Sequence, residues 1–254
     1  MTAFKRIIAV ALIALTVAGL AAGCSKKQTF VVGMDDSFPP MGFRDENNQL
    51  VGFDVDLAQE VGRRLGLEVT LQPIDWSTKE MELSSGRIDV IWNGLTITPS
   101  RQEEMLISRP YLANNQVLVV TTASGFAKKA DLEGKNMGVQ TGSSAEIALA
   151  ADELGSKVKI TQFENNVMAL QDLKIGRLDA MVLDEVVARY YLTKEPGVYT
   201  LLEESLAAEE YGIAFKKGNT KLHDQVMKAF DEMLADGTAA EISDKWFGKD
   251  IILR

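Results

Sequence analysis

Gln116-Val117-Leu118-Val119-Val120-Thr121-Thr122 is the stretch on which the fold turns. It is rich in β-branched residues and has no helical period, so it reads as a strand. Before it, strand-like runs at 29–34, 68–74 and 88–92 alternate with helical patterns at 54–65 and 79–85. The first helix places Val55, Ala58, Val61 and Leu65 on one face and stops at Gly66. Ser77 and Glu80 have the spacing of a capping box for the second. A third helix opens at Thr98-Pro99, with proline at the first helical position. After residue 122 comes a second series: strands 136–140, 157–163 and 179–183, with helices 145–154, 166–175 and 185–192. A strand at 212–215 leads back to the first series. A long helix at 220–235 then buries Leu222, Val226, Phe230 and Leu234, and a last helix carries Trp246 and Phe247.

Alternating strands and helices imply an α/β fold. Two such units, with one strand leaving the first and another returning, imply two α/β lobes joined by two crossing strands, with the ligand cleft between them. The expected division is 30–118 with 211–254 for lobe 1, and 119–210 for lobe 2. Closing two lobes on a ligand buries it.

The N-terminus has Lys5 and Arg6 and then an uncharged apolar run that ends at Gly23-Cys24. That run is shorter than the ~20 residues of a spanning helix and has the layout of an export signal at 1–23. Leu20-Ala21-Ala22-Gly23-Cys24 looks like a bacterial lipobox, although Ala21 stands where leucine is commonest. The thiol of Cys24 would then be acylated and residues 24–29 would form a lipidated tether. The plain alternative is a free thiol beside an ordinary cleavage site. With one cysteine the chain has no internal disulfide, and a core must hold the fold alone. The net charge of −9 disfavours nucleic acid and electrostatic binding to an anionic membrane.

Four segments could carry chemistry, each with a purely structural alternative. Gln140-Thr141-Gly142-Ser143-Ser144-Ala145-Glu146 runs a strand into a turn, and Ser143 with Glu146 has capping-box spacing. Its free N–H groups could hold a carboxylate; alternatively they only start a helix. In Asn93-Gly94-Leu95-Thr96-Ile97-Thr98-Pro99-Ser100-Arg101, Arg101 falls in a first helical turn, where a cation is disfavoured. It is either solvated or has an anion to hold in its planar fork. Asp35-Asp36-Ser37-Phe38-Pro39-Pro40 follows the first strand, and Phe38 and Trp76 could stack on a side chain or simply pack the core. Asp184 could take an ammonium group or cap the helix behind it. All lie beyond carboxyl ends of strands, where open α/β sheets bind ligands. One arginine, one helix N-terminus, one aspartate and two aromatics together suit a zwitterionic amino acid.

The chain resembles the bacterial extracytoplasmic amino-acid-binding proteins of ABC importers, the glutamine-, histidine- and lysine/arginine/ornithine-binding group (solute-binding family 3). The resemblance rests on Val51-Gly52-Phe53-Asp54-Val55-Asp56-Leu57, the Gly94–Arg101 segment, Tyr111, Gly138–Ser144, Tyr211-Gly212-Ile213-Ala214-Phe215, Gly237-Thr238 and Lys245-Trp246-Phe247-Gly248. It implies a type II periplasmic-binding-protein fold and roles at matching positions. Arg101 would pair with the ligand α-carboxylate, helped by Thr96 and Ser144, with Ser143 beside them. Gly94 and Asp184 would hold the α-ammonium. Phe38 and Trp76 would clasp the side chain, Asp35 would face its far end, and Asn93 adjoins the set. Gln140 and Leu183 depart from the glutamine-binding pattern.

Asp35, Asp36 and two aromatic faces favour a cationic side chain, so arginine, lysine or histidine is preferred over a glutamine-like ligand. An acidic ligand is disfavoured unless Lys79 reaches the pocket. No cofactor or metal is implied, because no His/Cys cluster occurs. The partners implied are a free L-amino acid, the permease subunits of an ABC importer and, through Cys24, a membrane; the protein is expected to be an extracytoplasmic monomer. One rival is a periplasmic cyclohexadienyl dehydratase on the same fold, with Glu185 as its acid. Another is a sensor domain fused to a kinase or channel, which the absence of a later spanning segment disfavours. His223 reads as a solvated helix residue, and Ser156-Lys157-Val158-Lys159 as a chance S-x-x-K match.

Overall fold

A computed structural model describes residues 29–254. The expected signal segment, Cys24 and the tether up to residue 28 lie outside the described residues. Thr29, given both to the tether and to the strand at 29–34, is the first residue of that strand.

The first lobe is built on β1 (Thr29–Met34), which runs parallel to β5 (Glu68–Pro73) along its whole length and to β6 (Val90–Thr96). Helix α1 (Phe53–Leu65) makes the crossover, burying Phe53, Val55, Leu57, Ala58 and Val61, and ends at Gly66 with φ 68°. Between β1 and α1 lies a small sheet of β2 (Ser37–Phe38), β3 (Gly42–Arg44) and β4 (Leu50–Val51). Strands this short carry too little alternation to be seen in sequence. Helices α2 (Lys79–Ser85) and α3 (Pro99–Glu104) and strand β7 (Met105–Ile107) complete the N-terminal series. The Ser77–Glu80 capping box does not form. Asp75, two residues earlier, accepts from Ser77 N at 2.9 Å and caps a 3-10 turn at Trp76–Thr78, while Glu80 pairs with Lys79 at 3.0 Å.

The exiting strand is β8 (Leu112–Thr121). The second lobe follows with β9 (Asn136–Gln140), α4 (Ser144–Ala151), β10 (Lys159–Phe163), α5 (Asn166–Lys174), β11 (Ala180–Asp184) and α6 (Glu185–Lys194). The return strand β12 (Tyr199–Lys216) is far longer than the expected 212–215. Its register against β8 shifts twice between Leu201 and Ala207, which breaks the alternation that would have revealed its first half. Helices α7 (Thr220–Asp236) and α8 (Thr238–Phe247) close the chain onto lobe 1.

The strands form one sheet in the order β10-β9-β11-β8-β12-β6-β1-β5, with β7 on the side of β12. Each outer wing is parallel, while β8 and β12 are antiparallel to their neighbours and carry the chain across. This is the expected pair of α/β lobes joined by two crossing strands.

Trp92 belongs to the core. It is 1% exposed and meets Tyr111 and Phe230 edge-on. On α7 the buried residues are Val226, Ala229, Phe230 and Met233, with Leu222 and Leu234 only partly covered. The carboxyl ends of β1, β6, β9 and β11 all open on one seam between the lobes, where a ligand in such a sheet belongs.

Candidate functional site

One narrow cavity lies in that seam, closed down to about the space of a single water molecule. Lobe 1 contributes Asp35, Phe38, Trp76, Asn93, Gly94, Thr96 and Arg101 to its wall, and lobe 2 contributes Gln140, Ser143, Ser144 and Asp184. The structure thus brings together the eleven residues expected to bind the ligand. Asn93, Gly94 and Thr96 sit inside β6 rather than in a loop after it, because that strand runs on to Thr96.

Arg101 sits at one end. Pro99 opens α3 and Thr98 Oγ1 accepts from Arg101 N at 3.2 Å, so the helix starts where its first turn faces the seam. The guanidinium is buried, 5% exposed, and donates to Thr96 O at 2.9 Å and, across the seam, to Gly142 O at 3.2 Å. Among the described residues no carboxylate lies within 4.0 Å of it. Burial pushes its pKa down, and only the more distant Glu80, Glu209 and Asp184 pull it back. A buried cation without a counter-ion is unfavourable unless an anion joins it. Facing it, Ser143 caps α4 by accepting from Glu146 N at 3.2 Å, and Ser144 Oγ meets Thr96 Oγ1 across the seam at 2.9 Å. The Glu146 carboxylate takes the Gly142 N–H at 2.8 Å instead of returning to Ser143.

Asp184 sits at a second end, 4% exposed. It accepts from Asn114 Nδ2 at 2.8 Å, Gln116 Nε2 at 2.9 Å and Tyr211 Oη at 2.5 Å. It makes no side-chain cap to α6, so the capping alternative is not realised. Burial, and then the charge of Glu209, push its carboxyl well above the ordinary range. Gly94 has φ 59°, and a Cβ there would stand 2.7 Å from the Phe38 ring, so only glycine fits. Its N–H is held at 2.7 Å by the fully buried Asp54, which also accepts from Tyr111 Oη at 2.8 Å. Burial raises Asp54 to about 7.

Asp35 marks the third end. Gln140 Nε2 reaches it across the seam at 2.7 Å, and Ser37 N donates to it at 2.8 Å. Burial raises its pKa to about 6, against the two hydrogen bonds that lower it. Asn93 Oδ1 accepts from Asp35 N at 3.1 Å, while its Nδ2, in a residue 1% exposed, has no partner. That orphaned donor lies against Gly42, where an added Cβ would stand 2.4 Å from it.

Several residues fall outside the cavity. Asp36 pairs with Arg44 at 2.6 Å, and Leu183 packs in the core. Glu185 accepts from Asn115 Nδ2 and Arg189 Nε, both at 2.7 Å; burial raises its pKa, but those bonds hold it below the usual carboxylate value, the reverse of what a proton-donating acid needs. His223 packs edge-on against Phe215 on α7. Two residues behind the cavity wall escape sequence reasoning. Asp54 shows there only as part of a matching segment. Glu209, two residues before the buried Tyr211 on the same face of β12, falls outside a strand begun at 212. It accepts from Thr96 Oγ1 at 3.0 Å and from Asn114 and Gln116, both at 2.7 Å.

Lys79 is also buried, 2% exposed, yet it does not line the cavity. Its Nζ donates to Trp76 O at 3.1 Å and, across the seam, to Gly142 O at 3.0 Å, and stands 5.2 Å over the Trp76 ring. Two lobe-1 cations therefore converge on one lobe-2 carbonyl, and both bonds exist only when the lobes are together.

Residues 30–249 match the family described as bacterial extracellular solute-binding proteins, family 3. The chain is 34% identical to the L-cystine-binding protein TcyJ of Escherichia coli (strain K12), over 92% of this chain and 88% of that one. It is 32% identical to the arginine-binding extracellular protein ArtP of Bacillus subtilis (strain 168), over 88% of each. Among solved structures it is similar to an ABC uptake transporter substrate-binding protein from Streptococcus pneumoniae with bound histidine, at 38% identity and TM-score 0.86, covering 89% of this chain and 95% of that one. It is similar also to the ancestral amino-acid-binding protein AncCDT-1, a precursor of cyclohexadienyl dehydratase, at 34% identity and TM-score 0.80, covering 86% and 95%.

Lys79→Met keeps the stem over Trp76 and removes the ammonium. Since the bond to Gly142 exists only in the closed state, ligand dissociation should quicken roughly tenfold while association stays unchanged. Stopped-flow fluorescence measures both rates; a slower association with unaltered dissociation would contradict a closed-state role.

Proposed function

The chain belongs to family 3 of the bacterial extracellular solute-binding proteins, and on that footing we propose that it captures a polar L-amino acid by lobe closure and hands it to an ABC importer. The observation that carries this is Arg101, a buried guanidinium without a carboxylate neighbour, on the wall of a cavity that has Asp184 as another of its ends. A zwitterion supplies what the two groups need: its α-carboxylate goes to Arg101, Thr96 and Ser144, and its α-ammonium to Asp184 and the Gly94 carbonyl. Phe38 and Trp76 flank the side chain, and Asn93, Gln140 and Ser143 complete the wall. We take 30–118 with 211–254 and 119–210 as the bodies that close.

Asp35 selects the side chain. Its burial favours a cation at the far end, as in arginine, lysine or histidine, with a glutamine-like amide as the alternative. The arginine-binding and histidine-bound relatives agree with this preference, and the cystine-binding one makes cystine a required competitor. The protein acts as a binding protein rather than an enzyme, because Glu185 is engaged by Arg189 and Asn115. It works outside the cytoplasm as a monomer, tethered by lipid on Cys24.

Thermal shift of refolded, ligand-stripped protein against the twenty amino acids, cystine, ornithine and prephenate tests the reading. A basic amino acid should raise the midpoint by mass action, and Arg101→Ala should lose about 3–5 kcal/mol of binding. A shift with prephenate alone would establish the dehydratase instead.

A cation at Asp35 favours its charged form. The ligand-free carboxyl titrates near 6 rather than 3.8, so on its own it favours the folded state below pH 3.8, and that contribution is lost as pH rises through 6. Capture of a cationic side chain expels the proton, and affinity should rise as pH goes from 5 to 7. Asp35→Asn should flatten that rise in calorimetric titrations; an unchanged pH profile in the variant would remove Asp35 from the site.

A further inference from the structure

Beneath the Asp184 wall lies a second carboxylate that the zwitterion scheme leaves without a part. Glu209 projects from β12 opposite Asn114 in the β8 register. Its Oε1 takes one bond each from Asn114 Nδ2 and Gln116 Nε2, at 2.7 Å. Those same two nitrogens donate to Asp184 Oδ1 at 2.8 and 2.9 Å. Each amide nitrogen therefore reaches both carboxylates, which pins them side by side, and Gln116 Nε2 also reaches Ser144 Oγ at 3.1 Å. Thr96 Oγ1, at 3.0 Å, and Ser144 Oγ, at 3.4 Å, tie Glu209 to both lobes. The Oε1 of Gln116, which is fully buried, has no partner, so the amide is turned with its donors toward the acids.

The other groups facing the pair do not neutralise it. Tyr211 Oη, from β12, donates to Asp184 but carries no charge. Arg101, from α3, is more than 4.0 Å from either acid. Glu185, the first residue of α6, is turned to Asn115 and Arg189. A buried acid held this close to a second, half-buried carboxylate resists ionising.

Resting on the amino-acid reading, we propose that Asp184, pinned beside Glu209 by the two shared amides, keeps a proton in the ligand-free protein, and that the α-ammonium replaces it on capture. The proton leaves for solvent as the ammonium arrives, so the charge of the pocket is conserved and no bond other than O–H is broken. Glu209 does not line the cavity; it is a positioning residue that sets the charge of Asp184. It thereby makes the site demand an ammonium, since a ligand with a neutral group there would leave Asp184 protonated and without an ionic partner. The upward push on the Asp184 carboxyl, from burial and then from Glu209, agrees with this.

Calorimetric titration at pH 8 with L-arginine, L-histidine, L-glutamine and L-cystine, each in phosphate and in Tris, counts protons through the differing buffer heats. Asp35 is already ionised at that pH and adds nothing. The wild-type protein should release between about half and one proton per ligand, and affinity should climb up to tenfold per pH unit from 7 to 8. Glu209→Gln should at least halve the release while its midpoint of unfolding and its preference among the four ligands persist; a variant that does not fold leaves the wild-type count as the deciding number. Binding without proton release, or an unchanged count in Glu209→Gln, would overturn the proposal while leaving the amino-acid reading intact. No binding by any of the four would remove both.

Discussion

Arg101 is the constraint around which the seam is organised. A guanidinium 5% exposed, bonded to two carbonyls and, among the described residues, to no carboxylate, is held by Thr96 O from one lobe and Gly142 O from the other. Carbonyl dipoles solvate the cation but do not neutralise it, and the remaining donors of its fork are left for an anion in the cavity. The seam around it is therefore polar, narrow and closed by bonds that cross from lobe to lobe: Arg101 and Lys79 to Gly142, Thr96 to Ser144, and Gln140 to Asp35.

Charge is ordered along this seam. The positive end lies where α3 and α4 begin, and the negative ends lie at Asp184 with Glu209 and at Asp35. In the proposed scheme such an arrangement sets the direction in which a zwitterion enters, because reversing it would place each pole against its like. Behind the wall, Asp54 performs a quieter task. Its buried carboxylate grips the Gly94 N–H and the Tyr111 hydroxyl, which holds the left-handed turn of the chain at Gly94 against the Phe38 ring. In the proposed scheme, specificity for the side chain rests chiefly on Asp35 and Gln140 at the far end.

Much of this is legible in the sequence for a geometric reason. In an α/β sheet the carboxyl ends of parallel strands share one edge, so polar residues just past residues 34, 92, 140 and 183 have to meet once the chain crosses and returns. What stays hidden depends on competition between neighbours. Asp75 displaces Ser77 as the cap because it takes the N–H and the hydroxyl of Ser77 and opens a 3-10 turn ahead of the helix. Glu209 is concealed by the register shifts of β12, and Lys79 looks like any lysine of a short surface helix until Gly142 comes to rest on it. Burial of a charged group is a tertiary fact, and local pattern does not reveal it.

The central claim is that Arg101 holds the ligand's carboxylate. Calorimetric titration of the stripped protein with L-arginine and with agmatine, the same molecule without its α-carboxylate, addresses it directly. Tight binding of arginine with no measurable binding of agmatine is the predicted result. Comparable affinity for the two would mean that the cavity does not recognise an amino acid through Arg101, and the proposed mode of capture would fail with it.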